Sequence, residues 1–153
     1  MNHTNNTEAR AFIGNNTFTN NVCLGQACIT GGLDVGGTAR FAIYNNAFNL
    51  NSAADIRLDA TSVLFNNSFQ LQDGTVEPID SGGNINPPDP GFVDEITDPR
   101  LLPTSPLINA GTGDFATGTL DFDGNPRLND VQYDIGAFEN QNVLFKDGFE
   151  ISP

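Results

Sequence analysis

In the first half of the chain, short apolar runs alternate with polar ones, and three of the resulting segments superpose. Residues 9–21 read ARAFIGNNTFTNN, residues 39–51 ARFAIYNNAFNLN and residues 60–72 ATSVLFNNSFQLQ. Each carries an Asn-Asn pair. Ala9, Ala39 and Ala60 stand six positions before the pair, and Ile13, Ile43 and Leu64 two before it. One small residue after the pair (Thr17, Ala47, Ser68) comes Phe18, Phe48 or Phe69, followed by Thr19, Asn49 or Gln70. This pattern predicts a short strand, a sharp corner at Asn-Asn, and a second short strand with Phe as its first inward residue. Asn suits the corner because it tolerates the left-handed backbone region. A hairpin would favour Asn-Gly, and none of the pairs is followed by Gly.

One copy cannot bury its own apolar face, so copies must stack. In register they pile Phe18, Phe48 and Phe69 in one column and Asn16, Asn46 and Asn67 in another, with levels about 4.8 Å apart. Each buried Phe stabilises by roughly 1.5–3 kcal/mol. The Asn column satisfies its amides between levels, as side-chain ladders do in other stacked strands. From Asn16 to Asn46 is thirty residues, and from Asn46 to Asn67 twenty-one. The surplus in the first interval is placed in a loop insertion at residues 22–37, which holds both cysteines and two Gly-Gly pairs. Such loops commonly carry function.

The segments resemble rungs of the right-handed parallel β-helix, the architecture shared by pectate lyases, polygalacturonases and many bacterial surface proteins. The resemblance covers residues 8–75. It implies an all-β fold, a single-stranded solenoid of about three coils, and says little about activity, because this fold hosts many.

Beyond Asp73 the sequence turns Pro-rich and irregular. Gly82-Gly83-Asn84-Ile85, Asn86-Pro87-Pro88-Asp89-Pro90, Ser105-Pro106-Leu107-Ile108-Asn109-Ala110-Gly111, Asp121-Phe122-Asp123-Gly124-Asn125-Pro126-Arg127 and Asp134-Ile135-Gly136-Ala137-Phe138-Glu139 follow one another. This succession resembles the choice-of-anchor Q module found at the C-terminal end of exported bacterial β-helix proteins. The division expected is a polar stretch at 1–8, coils at 9–80, an irregular capping module at 81–140 and a tail at 141–153. Physically the module reads as a lid over the exposed end of the last coil. Ile85, Phe92, Val93, Leu101, Leu107 and Ile108 would be its apolar anchors. Arg127 would pin it through an ion pair with Asp134 or Glu139, of which Asp134 is the expected partner. Residues 1–8 are too few and too polar to cover the first coil, so the chain reads as the C-terminal part of a longer protein, monomeric as part of that chain.

Composition agrees. Twenty Asn, sixteen Gly and nine Pro in 153 residues starve helices, while twelve Phe suffice for a core. The net charge of −13 repels nucleic acid and anionic membrane surfaces. No apolar run approaches the roughly twenty residues of a membrane-spanning helix. Cys23 and Cys28 close a C-x4-C loop without the further ligands that zinc requires. They read as a local disulfide, with two unlinked thiols as the alternative. A disulfide implies an oxidising compartment, hence an extracellular or cell-surface location, with the export signal outside this sequence.

Candidate chemistry is sparse. Arg10 and Arg40 hold the same position in successive copies and, with Asp34, form the candidate ligand-binding set for an acidic sugar. Asp121 and Asp123, before Gly124, are the candidate calcium ligands, against a plain turn built by Asp and Asn; no other cofactor is expected. A glycosidase pair such as Asp34 with Asp55 or Asp59 would have to arise between coils. The only histidine, His3, lies in the polar N-terminal stretch, and no nucleophile–base arrangement is visible. The expected role is a non-catalytic structural or binding segment of an exported surface protein, contacting a polysaccharide or another surface partner. The alternative is the remnant of a polysaccharide lyase or hydrolase with its catalytic coils upstream.

Overall fold

The computed structural model describes residues 11–25, 27–115, 118–129 and 131–141. Among these the fold is all-β, without a helix. A first pass of chain forms β1 (Ala11–Gly14), β2 (Thr17–Thr19) and β3 (Thr30–Gly36). A second forms β4 (Phe41–Tyr44), β5 (Ala47–Asn49) and β6 (Ala54–Asp59), and a third β7 (Ser62–Phe65) and β8 (Gln72–Gly74). β9 (Asp80–Gly82) opens a fourth. Strands pair in parallel with their counterparts one pass away, in sheets ordered β1-β4-β7-β9, β2-β5 and β3-β6-β8. The second sheet continues as single parallel bridges from Ala47 to Ser68 and from Ser68 to Ile85.

The predicted register holds. Ile13, Ile43 and Leu64 are aligned, as are Phe18 and Phe48, whose rings stack with centroids 4.7 Å apart. Phe69 packs against the same core cluster, which centres on Val35, Ile43, Phe48, Ile56, Leu58 and Leu64. Two boundaries differ from expectation. Pairing continues past residue 80 through Gly82 and Ile85, so the coils run further than the Asn-Asn pairs alone indicate. The insertion at 22–37 is not all loop, because it contains β3, which pairs with β6. The extra length lies chiefly before that strand: the chain takes nine residues from Asn21 to Thr30 but three from Asn51 to Ala54. Gly-rich sequence concealed the strand, since Gly31 and Gly32 read as turn but allow backbone approach to Ser52 and Asp55.

The C-terminal module contains one hairpin, β10 (Phe92–Asp94) with β11 (Asp98–Leu101), joined antiparallel. It runs along the flank, against the outward row Thr17, Ala47, Ser68 and Ile85. Phe92, Leu101, Leu107 and Ile135 bury Ala47, with Ile85 and Ile108 packed alongside. Phe115 stacks on Tyr44 at 4.8 Å and leans on Phe65 at 5.6 Å. Val93, expected as an anchor, is instead exposed. The small outward residues after each Asn-Asn pair explain the choice of surface: Thr17, Ala47 and Ser68 leave room for a second layer. Gly136 lies against them. At φ +116° a side chain is disfavoured, and a Cβ there would stand 2.9 Å from the Thr17 hydroxyl.

Candidate functional site

A column of Asn side chains links the successive passes. Asn16 Nδ2 donates to Asn46 Oδ1 at 3.0 Å, Asn46 Nδ2 to Asn67 Oδ1 at 3.0 Å, and Asn67 Nδ2 to Asn84 Oδ1 at 3.0 Å. Each of these oxygens also accepts the backbone N–H of the Asn one pass earlier. The second amide proton goes to a backbone carbonyl, of Gly14, Ile13, Ile43 and Leu64 respectively. Buried amides are tolerated only when saturated in this way. Asn84 is a fourth member without an Asn-Asn pair, because Gly83 stands where the first Asn would be. The equivalence is conformational: Asn15, Asn45 and Asn66 have φ of 57°, 52° and 53°, and Gly83 has 65°.

A second, shorter column turns the next corner. Asn21 Nδ2 donates to Asn51 Oδ1 at 2.9 Å, and Asn51 Nδ2 to Asp55 Oδ1 at 3.0 Å. Asp55 is buried, and its other oxygen accepts the N–H groups of Gln70 and Leu71. It is thereby a structural cap rather than half of a carboxylate pair. Asp59 is likewise engaged, accepting from the Thr75 N–H and hydroxyl and pairing with Arg57. These contacts hold its carboxyl below the ordinary range, the Thr75 bonds first and Arg57 after them. Arg57 reaches Asp34 as well, at 3.2 Å. Asp34 and Asp59 are thus bridged by a guanidinium, not by space for a water and a sugar.

Of the ligand set expected from Arg10, Arg40 and Asp34, the described residues include Arg40 and Asp34. Arg10 lies outside the described residues, as does His3. Arg40 precedes β4, and its carbonyl accepts the Ala11 N–H, while Asp34 sits on β3 opposite Arg57.

The expected calcium ligands are occupied by protein groups. Asp121 accepts from the N–H of Asp123, Asn125 and Glu139. Asp123 takes a two-point contact from Arg100, at 2.6 and 2.9 Å, and Arg100 also pairs with Asp98. Arg100 holds the Asp123 carboxyl below its usual value. These bonds build a turn, and no cluster of three or more His, Cys, Asp or Glu positioned for a metal occurs among the described residues.

Cys23 and Cys28 are joined by a disulfide, and Ser52 of the next pass accepts the Cys23 N–H at 2.7 Å. Arg127 is buried and pins the module as expected, but its carboxylate partner is Glu139, at 3.1 Å, with further bonds to the carbonyls of Gly136 and Ala137. Asp134, the partner expected from sequence, accepts instead from the backbone of Asn109 and Asn140. Its own N–H donates to Glu139. Burial pushes the Glu139 carboxyl up to about 8, with the Asp134 carboxylate adding to the rise and Arg127 opposing it.

A cleft of about 490 Å³ opens between the first-pass corner (Gly14 to Phe18) and the module (Leu120, Phe122, Arg127, Ala137). Asn16, the end of the Asn column, lines one side, and the module side mixes Leu120, Phe122 and Ala137 with Asp121 and Arg127. Comparison with known proteins yields no match to a protein-family model, to a curated protein or to a solved structure. No helix among the described residues is long and apolar enough to cross a membrane.

Proposed function

We propose that this chain is a non-catalytic structural segment of a right-handed parallel β-helix protein, exported to a bacterial cell surface and presenting its sheet faces to carbohydrate. Three parallel sheets visited in fixed order support the helix reading, and crossovers between parallel strands of one sheet are almost always right-handed. The disulfide supports an oxidising destination. The single observation that carries the non-catalytic reading is the commitment of the charged groups. Asp55 and Asp121 hold backbone N–H groups, Arg57 joins Asp34 to Asp59, Arg100 joins Asp98 to Asp123, and Arg127 holds Glu139. A general acid–base pair needs carboxylates held at a controlled separation facing solvent and substrate. Incubation with pectin, alginate and related polyuronates tests the proposal. It predicts no unsaturated or reducing products, together with retarded migration of the protein through gels carrying a surface polysaccharide. Turnover by this chain alone would contradict it.

A further inference from the structure

The corner between the second and third sheets is turned on three successive passes, and each pass exposes an aliphatic side chain there. On the first these are Val22 and Leu24, 64% and 89% exposed, on the second Leu50, 54%, and on the third Leu71, 53%. Hydrogen bonds beside them tie the levels together. The Asn20 N–H donates to the Asn49 carbonyl at 3.0 Å, the Cys23 N–H to Ser52 Oγ at 2.7 Å, and the Asp55 N–H to the Leu71 carbonyl at 2.9 Å. Leu50 and Leu71 each stand three residues after the bridged pair Ala47 and Ser68. The four side chains therefore form a ridge along one edge of the stack.

Leu50 is out of place by the rules of the fold. Its φ of 51° lies in the left-handed region, where a bulky side chain is strained. Asn20, with φ 53°, meets the same requirement one pass earlier with a residue suited to it. Neither backbone preference nor burial accounts for leucine at this corner. The ridge is also uncharged in an acidic molecule. Residues 11–33, 41–54 and 60–72 contain no Asp, Glu, Lys, Arg or His, while the chain carries −13. Acidic groups stand only at its rim: Asp73 follows Leu71 by two residues, and the Glu95 carbonyl accepts the Thr19 hydroxyl. The Cys23–Cys28 disulfide closes the loop that displays Leu24, which lowers the ordering cost of a contact made there.

We propose that this ridge docks on the same ridge of a second copy of the chain, about a two-fold axis. Leu50 lies at the middle level, so the axis sets Leu50 against its own counterpart, and Val22 and Leu24 against the other copy's Leu71. Contact through the charged faces would oppose acid to acid, whereas here both surfaces are uncharged and aliphatic. Four aliphatic side chains cover less than the about 800 Å² per partner of a stable complex, so the monomer expected from sequence becomes a weak, reversible dimer. Repulsion between the two acidic molecules opposes the approach, and added salt therefore strengthens it. The inference is independent of the carbohydrate reading.

Sedimentation of the full chain between about 10 µM and 1 mM tests it, with an expected dissociation constant of about 100 µM. That constant should tighten at least about threefold as sodium chloride rises from about 0.05 to 0.5 M. Concentration-dependent amide shifts should gather at Val22, Leu24, Leu50 and Leu71. Leu50→Asn should weaken association at least about tenfold while the thermal midpoint stays the same or rises, because Asn suits the corner. Leu24→Ser, on the disulfide loop, should weaken association too. A chain that stays monomeric to the highest concentration overturns the proposal, as does a dimer indifferent to both substitutions. A dimer weakened by salt would be held by charge pairs, and a lower midpoint in Leu50→Asn would make Leu50 a structural residue; either result overturns it. Shifts at these amides only on adding a Lys-Leu-Leu-Lys peptide or phosphatidylcholine vesicles would assign the ridge to a cationic partner or a lipid surface, and overturn it likewise.

Discussion

Asn46 and Asn67 are joined twice: the backbone N–H and the Nδ2 of Asn46 both end on Asn67 Oδ1, each at 3.0 Å. Both residues are fully buried. The relationship repeats above and below, so the amide of one pass fixes the height and register of the next. Truncating the middle side chain Asn46 takes the shared acceptor from both Asn16 donors and one donor, Nδ2, from Asn67, whose bond to the Asn46 backbone N–H remains.

Asn46→Ala is therefore expected to destabilise the fold by about 2–4 kcal/mol, the range for leaving buried polar groups without partners. Asn16→Ala, at the exposed end of the column, should cost less than about 1 kcal/mol. Urea unfolding of the two variants checks the contrast. Equal losses would mean the column is not a connected unit.

The corner conformation makes a separate prediction. Asn15 has φ 57°, and Gly83 already serves the same corner. Asn15→Gly should change stability by less than about 1 kcal/mol, and Asn15→Val, β-branched in the left-handed region, should lose about 1–2 kcal/mol. A Val variant as stable as the Gly variant would contradict the corner assignment.

Gly136 and Gly124 both have positive φ, but only Gly136 faces a neighbour at close range. Gly136→Ala should cost about 1 kcal/mol or more beyond Gly124→Ala, since the strain is shared and the approach to Thr17 is not. Loss of Phe115 and Tyr133 near-ultraviolet signal before the coils unfold would show the module lifting from the flank.

The pH profile follows from the burial of the Glu139 carboxyl. Because burial raises the Glu139 carboxyl from its ordinary 4.5 to about 8, the folded state binds a proton that the unfolded chain has released. Stability therefore falls as pH rises through that window. Asp59, Asp94 and Asp123 are shifted the other way, by Thr75, by the Thr97 and Ile96 N–H groups, and by Arg100. Their contribution is present above the usual carboxylate range and is lost as pH falls below it. The thermal midpoint should peak on the mildly acidic side, and Glu139→Gln should flatten its decline toward pH 8. A decline of unchanged slope in that variant would remove Glu139 as its source.

Much of the stack was legible because identical side chains mark identical levels: Ile13, Ile43 and Leu64, or Phe18 and Phe48, declare their register by spacing alone. Asn84 was not legible, since Gly83 supplies by freedom of φ what Asn45 supplies by tolerance. β3 was hidden by Gly31 and Gly32, whose lack of a side chain serves close approach rather than a turn. The flank contacts of the module were not legible, because its anchors are apolar whichever surface they cover. Only the small outward residues Thr17, Ala47 and Ser68 pointed to the flank. Long-range charge pairs were equally silent: nothing local separates Glu139 from Asp134 as the partner of Arg127.

Scalar couplings measured across hydrogen bonds by NMR examine the stack without perturbing it. The account predicts couplings from the backbone nitrogens of Asn16, Asn46 and Asn67 to the side-chain carbonyl carbons of Asn46, Asn67 and Asn84. Their absence, with these three amides exchanging as fast as those of exposed turns, would contradict the parallel stacking of successive passes.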